Sequence, residues 1–217
     1  MNFNAANTFT SGIIIKSGTA VGGGTANNGA AFGTGSIQIG DSATGSNATL
    51  STAATPFNQF PTYANAIAVD SGAGTRTLVS SSNNAGQIPT FSGGITLNNT
   101  LTLSSTSAGG MRINGIINDG AGSNGLIIDS AGTGTIRMNQ TNTFDGGILI
   151  KPSILEQNTA AEALGTGIVT IGDGFTSNSA TLRGTGSGFT AANPITIASG
   201  GTGTYSIQST ERAEVSP

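Results

Sequence analysis

Short bursts of alternating apolar and polar residues recur along the whole chain. Typical bursts are Ile37-Gln38-Ile39, Ile67-Ala68-Val69 and Ile136-Arg137-Met138. This alternation predicts short strands that turn two side chains inward and one toward water. Gly, Asn, Ser and Asp separate the bursts, and these residues favour the positive-φ and self-capped conformations of turns. No stretch keeps a helical period, so we predict an all-β fold.

The alternation also predicts which side chains form the interior. Because the side-chain period of a strand is two residues, a slip of one position exchanges the inward and outward sets. The apolar side chains that we expect to point inward are Ile37, Ile39, Ile67, Val69, Leu101, Leu103, Ile136, Met138, Ile148, Ile150, Ile171 and Ile197. The side chains that we expect to point to water include Gln38, Thr96, Thr102, Arg112 and Arg137.

A long internal repeat organises these bursts. Residues 4–16 recur as 139–151, with Asn7 aligned to Asn142, 135 residues later. Further on, the segment from Ala31 to Gly35 recurs 132 residues later, and the segment from Ala64 to Gly72 recurs 128 residues later. Self-similarity at a long period indicates a repeat architecture. We predict a single solenoid over residues 1–217, with a complete unit in 1–138 and a partial second copy in 139–217.

Strands this short bury too little area in an ordinary sandwich, but they suffice when successive coils cover one another. An antiparallel sandwich or barrel is the alternative, although its hairpins need strands of matched length. We therefore expect a right-handed parallel β-helix, since crossovers between parallel strands are almost always right-handed. At about 20–25 residues per coil it would form roughly nine to ten coils.

Composition narrows the chemistry. The 217 residues include 35 Gly, no Cys and no His, and only 8% are charged. Disorder is disfavoured because β-branched residues recur regularly and the net charge is only −3. Disulfides and histidine-based catalysis are absent from the chemistry of this chain. Seven Lys and Arg against ten Asp and Glu give no basic footprint for nucleic acid. No apolar run suits insertion into a membrane.

The segment 132–150 carries a polar corner, Asn142-Thr143-Phe144-Asp145-Gly146-Gly147, and Ala163-Leu164-Gly165-Thr166-Gly167 follows it. Together these segments resemble the autotransporter-associated β-strand repeat of bacterial surface proteins. The first copy departs from this pattern, with Ser11 where the second has Gly146. The resemblance implies a parallel β-helical passenger at the bacterial surface or in the extracellular space. Typical members carry a secretory signal and a membrane barrel, so we expect this chain to be a fragment or a relative exported by other means.

Residue patterns predict no catalytic, cofactor-binding or metal site. Residues 120–125 fit the dinucleotide pattern G-x-G-x-x-G, but the strand-like Leu126-Ile127-Ile128 follows where a helix is needed. The carboxylates are scattered, and Asp41 and Asp173 occupy equivalent repeat positions, which is typical of turn caps. Calcium would need six or more converging oxygens.

One segment departs from the repeat. Residues 51–63 are longer than their counterpart and hold Phe57, Phe60 and Tyr63. Loops that leave a rigid scaffold are common recognition sites, and aromatic rings there can anchor a partner or stack on sugars. We predict a possible partner-binding loop for a glycan or a host or neighbouring cell surface. The alternative is that Phe57 and Phe60 fold back onto the coil.

These features favour a non-enzymatic extracellular structural or adhesive segment: a stalk, an adhesin passenger, or a matrix or fibre component. One alternative is a head-to-tail fibre subunit, because the chain opens and closes inside a repeat and we expect end-to-end self-association. Another is an ice-binding or polysaccharide-binding or -processing β-helix. Thr-x-Thr pairs such as Thr75-Arg76-Thr77 and Thr100-Leu101-Thr102 suit an ice-binding face, but their spacing along the chain is irregular.

Overall fold

The structure is a computed structural model that describes residues 1–23, 29–53, 60–81, 88–106, 108–130, 134–158, 162–185 and 190–210. These ranges contain twenty-one strands and no helix. All strand pairings are parallel, and they form three sheets that wind into a β-solenoid. The described residues include no helix long and apolar enough to cross a membrane.

Sheet A is the longest sheet and runs through both repeat copies. Its nine strands, in spatial order, are β1 (Asn2–Phe3), β3 (Gly18–Gly22), β5 (Ala48–Ala53), β8 (Arg76–Ser81), β11 (Leu101–Ser105), β14 (Leu126–Ile128), β16 (Ile148–Ile150), β18 (Val169–Ile171) and β20 (Ile195–Ile197). At about 4.8 Å between neighbouring strands, this sheet is about 38 Å long.

Sheets B and C are shorter and each covers part of that length. Sheet B contains β2 (Ile13–Ile15), β4 (Ile37–Ile39), β7 (Ile67–Val69), β10 (Ile95–Leu97) and β13 (Ile117–Asp119). Sheet C contains β6 (Thr62–Tyr63), β9 (Thr90–Phe91), β12 (Met111–Ile113), β15 (Thr135–Met138), β17 (Ile154–Asn158), β19 (Ala180–Thr185) and β21 (Tyr205–Ser209).

The solenoid makes about seven turns, so the expected nine to ten coils were too many. Turn length explains the difference. Ile37 pairs with Ile67, thirty residues on, whereas Ile148 pairs with Val169 only twenty-one residues on. The corners, which lie outside the ladder, absorb the extra residues of the longer turns, and loops tolerate such insertions.

The predicted inward register is confirmed. Eleven of the twelve expected side chains are buried, and Ile136 is fully buried while Arg137 on the same strand reaches solvent. Ile197 is the exception, with 51% of its surface exposed. It occupies the inward column, because it pairs with the buried Ile171. It is exposed because β20 is the last strand of sheet A, so no further strand of that sheet covers it.

The two copies share a corner built on a buried asparagine. The Asn65 amide donates to the carbonyls of Gly33 and Gly35, at 3.1 and 2.7 Å. Asn193 makes the same bonds to Gly165 and Gly167, at 2.9 and 2.8 Å. These carbonyls lie at corners outside the strand ladder, so the asparagine satisfies groups that the ladder leaves unpaired.

The same repeat segments nevertheless lie on different sheets in the two copies. β2 and β4 belong to sheet B, whereas their repeat equivalents β16 and β18 belong to sheet A. Likewise β3 and β5 belong to sheet A, while their equivalents β17 and β19 belong to sheet C. Hydrogen-bonded turns take the remaining side: Gly29 lies against Thr62 of sheet C, and Thr143 bonds to Ile117 of sheet B. One unit therefore spans five turns and one further side of the solenoid.

Candidate functional site

The outward column of sheet A is rich in threonine. Strand pairing places eight outward side chains in one line, and six of them are threonine. In spatial order these residues are Thr19, Thr49, Thr77, Thr102, Ile127, Leu149, Thr170 and Thr196. We call this line the threonine column. Of the Thr-x-Thr pairs seen in the sequence, only Thr77 and Thr102 contribute to it.

The outward column of sheet C is charged. In spatial order it contains Thr62, Thr90, Arg112, Arg137, Glu156, Arg183 and Gln208. We call this line the arginine column. The Arg137 Nε donates to Glu156 at 3.1 Å, and an Arg183 Nη lies 3.7 Å from the same carboxylate. Within the described residues, Arg112 has no carboxylate partner.

Outward charge follows the sheet and not the repeat copy, whereas two outward hydroxyls are kept on both sheets: Thr49 aligns with Thr181, and Thr77 with Ser206. Three outward positions lie on sheet A in the first copy and on sheet C in the second. There Val21 corresponds to Glu156, Ser51 to Arg183 and Val79 to Gln208. Those that change from sheet B to sheet A are Gln38 to Thr170 and Ala68 to Thr196. In the described strands, all outward-facing charged side chains belong to sheet C. The uncharged face and the charged face are therefore kept distinct despite the repeat.

The structure divides the three residues of the predicted partner-binding loop. Phe57 lies outside the described residues. Phe60 is 62% exposed and lines a cavity of about 510 Å³ on the sheet C side, together with Thr34, Thr62 and Ala64. Tyr63 is only 1% exposed, so the prediction that it could anchor a partner is wrong. Phe60 alone of the three is placed by the structure where a ligand can reach it.

Tyr63 belongs to an aromatic stack inside the solenoid. Its ring centroid lies 5.4 Å from that of Phe32 and 5.2 Å from that of Phe91, and Phe32 in turn contacts Phe3. Burial raises the pKa of the Tyr63 phenol well above its ordinary value. The alternation explains the error: Thr62 takes the outward position of β6, so Tyr63 must point inward.

The equivalent carboxylates Asp41 and Asp173 cap turns, as their positions suggested. The Ala43 amide donates to Asp41, and the Phe175 and Thr176 amides donate to Asp173. These hydrogen bonds favour the ionised form and lower the pKa of both carboxyls. Lys16 lies 3.3 Å from Asp41 and lowers its pKa further.

Asp119 has the opposite character. It takes the inward position on the last strand of sheet B, where it pairs with the buried Leu97. Burial raises its pKa, the neighbouring Asp145 carboxyl raises it further, and its Oδ1 has no hydrogen-bond partner. The described residues nevertheless contain no group of three or more Asp, Glu, His or Cys that could hold a metal ion.

Arg76 is a buried cation that sequence reasoning missed. It is 1% exposed and donates to backbone carbonyls only, including those of Ser46, Asp70 and Ser71 at 2.9–3.1 Å. The alternation could have predicted its burial, because Arg76 directly precedes the outward Thr77. It occupies the inward column that also contains Ala48 and Leu101. The second copy has Tyr205 there, packed against the equivalent glycine corner.

No family model, curated protein or solved structure matches this chain.

Proposed function

We propose that this chain is a non-enzymatic, extracellular structural or adhesive solenoid segment of a bacterial surface protein. The continuous stack carries this proposal: one hydrophobic interior runs through the described turns, and the outward columns form long surfaces along the sheets. Such a stack provides length and a regular surface, which are the properties that a stalk, passenger or fibre needs. The motif at 142–147 and its resemblance to the autotransporter-associated repeat support the surface location.

The last described rung supports self-association as the way in which the segment extends. Ile195, Ile197 and Ile207 are between 36% and 51% exposed, although the residues that they pair with in the preceding rung are buried. Uncovered strands template further pairing. A second copy of the chain would supply a further rung and with it apolar cover for these isoleucines.

Sedimentation velocity over a range of protein concentrations tests this proposal. The full chain should form end-to-end oligomers as concentration rises. Ile197→Lys should suppress them, whereas the control Thr196→Lys, which changes the outward neighbour, should not. The chain should also release no reducing ends from acidic or neutral polysaccharides. A strict monomer at high concentration, or turnover of a polysaccharide, contradicts the proposal.

The threonine column favours a second function, ice binding. It combines hydroxyl and methyl groups at a regular spacing of about 4.8 Å on an uncharged parallel sheet. A rigid array of this kind can order water into a lattice that matches its own repeat. Ile127 and Leu149 interrupt the hydroxyls but keep the face apolar and uncharged.

Thermal hysteresis separates this second function from the first. If the threonine column binds ice, the double substitution Thr49→Lys with Thr77→Lys should abolish hysteresis. The matched pair Thr62→Lys with Thr90→Lys, on neighbouring rungs of sheet C, should leave it intact. Absence of hysteresis in the unaltered chain contradicts ice binding and leaves the structural proposal unaffected.

A further inference from the structure

Arg112 and Arg137 form a pair of like charges of which only Arg137 has a carboxylate partner among the described residues. They occupy paired positions on β12 and β15, so their backbones lie about 4.8 Å apart. Like charges directly opposite each other destabilise a sheet. Glu156 compensates Arg137 from the next strand, but the described residues offer no carboxylate to Arg112. The sheet therefore presents donors whose charge is left for an external anion.

The electrostatic potential along the arginine column is positive, although the chain as a whole is acidic. The arginine column contains three arginines and one glutamate, whereas the rest of the chain has four basic and nine acidic residues. An acidic chain with one positive line attracts anions to that line and repels them elsewhere. Guanidinium groups also bind carboxylates in a bidentate geometry that ammonium groups do not reproduce.

The column continues from these charges toward an exposed aromatic ring. Two hydroxyl side chains, Thr90 and Thr62, follow Arg112 on successive strands, and the Phe60 cavity adjoins Thr62. From β6 to β15 the line spans three strand spacings, or about 14 Å. An aromatic ring thus lies beside the Thr62 end of a row of hydroxyl and guanidinium groups along the solenoid axis.

From this row we infer a binding site for an extended, carboxylate-bearing polysaccharide that lies along sheet C. Sugar rings stack on Phe60, sugar hydroxyls bond to Thr62 and Thr90, and a carboxylate of the same polymer pairs with Arg112. The inference rests on the proposed adhesive function and names the class of partner. Nucleic acid fits less well, because Glu156 interrupts the charges and the chain lacks the basic surplus that phosphate chains require.

Binding of the full chain to polygalacturonate, measured by biolayer interferometry at low salt, tests the site. Arg112→Gln should weaken binding about tenfold, because it removes a charge-assisted hydrogen bond. Phe60→Ala should weaken it comparably by removing the stacking surface. Two controls match these changes: Lys16→Gln removes an equal charge at an exposed side chain elsewhere, and Phe175→Ala removes a ring that is 96% exposed elsewhere.

Both controls should keep the affinity of the unaltered chain, and neutral dextran should not bind. Equal losses from Arg112→Gln and Lys16→Gln would overturn the site, because they would show general charge attraction. Equal affinity for single-stranded DNA with the same dependence on Arg112 would overturn the polysaccharide assignment. If polygalacturonate does not bind while the chain still forms end-to-end oligomers, this inference fails and the proposed function stands.

Discussion

The two repeat copies have nearly the same corners, but their equivalent strands lie on different sheets. In each copy an asparagine ties two glycine carbonyls, an aspartate caps a turn, and a glycine with positive φ closes a strand. The first-copy strands β2 to β5 lie on sheets B and A, whereas their equivalents β16 to β19 in the second copy lie on sheets A and C. Local hydrogen bonding and inward burial are therefore properties of the repeat, while the outward charges depend on the sheet on which a residue lies.

The largest difference is expected between two equivalent inward isoleucines. Ile150 lies within sheet A with strands on both sides, but Ile15 lies on the edge strand of sheet B. Ile150→Asp should cost about 3–5 kcal/mol of unfolding free energy, because it buries an unpaired charge. Ile15→Asp should cost less, because Ile15 is 5% exposed and has a neighbouring strand of its sheet on one side only. Urea denaturation measures both. Equal costs would show that neighbouring strands do not determine burial here.

The next largest difference in stability is expected between substitutions at the equivalent glycines of the two copies. Gly40 and Gly172 have φ values of 101° and 90°. A methyl group at Gly40 meets the Arg76 guanidinium, which three or more carbonyls hold in place, whereas one at Gly172 meets the half-buried Tyr205 ring. We expect Gly40→Ala to cost about 2–3 kcal/mol and Gly172→Ala about 1 kcal/mol, mostly from backbone strain. Thermal and urea unfolding would reveal the reverse order if Tyr205 were the more rigid neighbour.

Substitutions at the equivalent asparagines should destabilise the two copies equally. Asn65→Ala and Asn193→Ala each leave two glycine carbonyls without their donor, and the bond lengths nearly match. Each change should cost about 1–2 kcal/mol. Paired urea titrations would measure both variants. Costs that differ by more than twofold would mean that the sheet, and not only the repeat, controls these corners.

The smallest effects concern pH and have opposite signs. The raised pKa of Asp119 means that the folded chain holds this proton more tightly than the unfolded chain, so stability falls as pH rises through the window between the two pKa values. The lowered pKa of Asp173 means the reverse: its contribution is present above the ordinary carboxyl pKa and is lost as pH falls through the folded pKa.

Melting temperatures of Asn variants at two pH values check these signs. Asp119→Asn should raise the melting temperature at pH 7 and have little effect at pH 3. Asp173→Asn should lower the melting temperature at pH 7 and lower it less at pH 3. Shifts of the same sign at pH 7 would contradict the contrast between the inward carboxyl and the capping carboxyl.

Much of the fold could be predicted because it depends on local alternation. The triplets at Ile37, Ile67 and Ile136 determine which side chains point inward, and the repeat indicates a stack. The change of sheet between copies could not be predicted, because it depends on how many residues each corner absorbs. A segment such as 142–144 pairs through backbone amides without an apolar triplet, so nothing in its pattern shows that it takes the place of a strand.

The candidate site was less predictable for the same reason. Phe60 and Tyr63 belong to one short segment, and only the register of β6 determines that one is exposed and the other buried. Arg112, Arg137 and Arg183 are far apart in the sequence and share one column only when four successive strands, β12, β15, β17 and β19, are aligned. Columns of this kind are a property of the pairing, so a single sequence does not show them.

The change of sheet between copies acts as a phase shift in any longer array of such units. Each unit advances the solenoid by a whole number of turns plus one third. Equivalent residues of successive units are therefore rotated by about a third of a turn around the solenoid axis. Identical units would return to the same azimuth only at every third copy. Tandem duplication of such a unit would thus distribute a binding row around the circumference, unless the copies differ at its positions, as they do at Ser51 and Arg183.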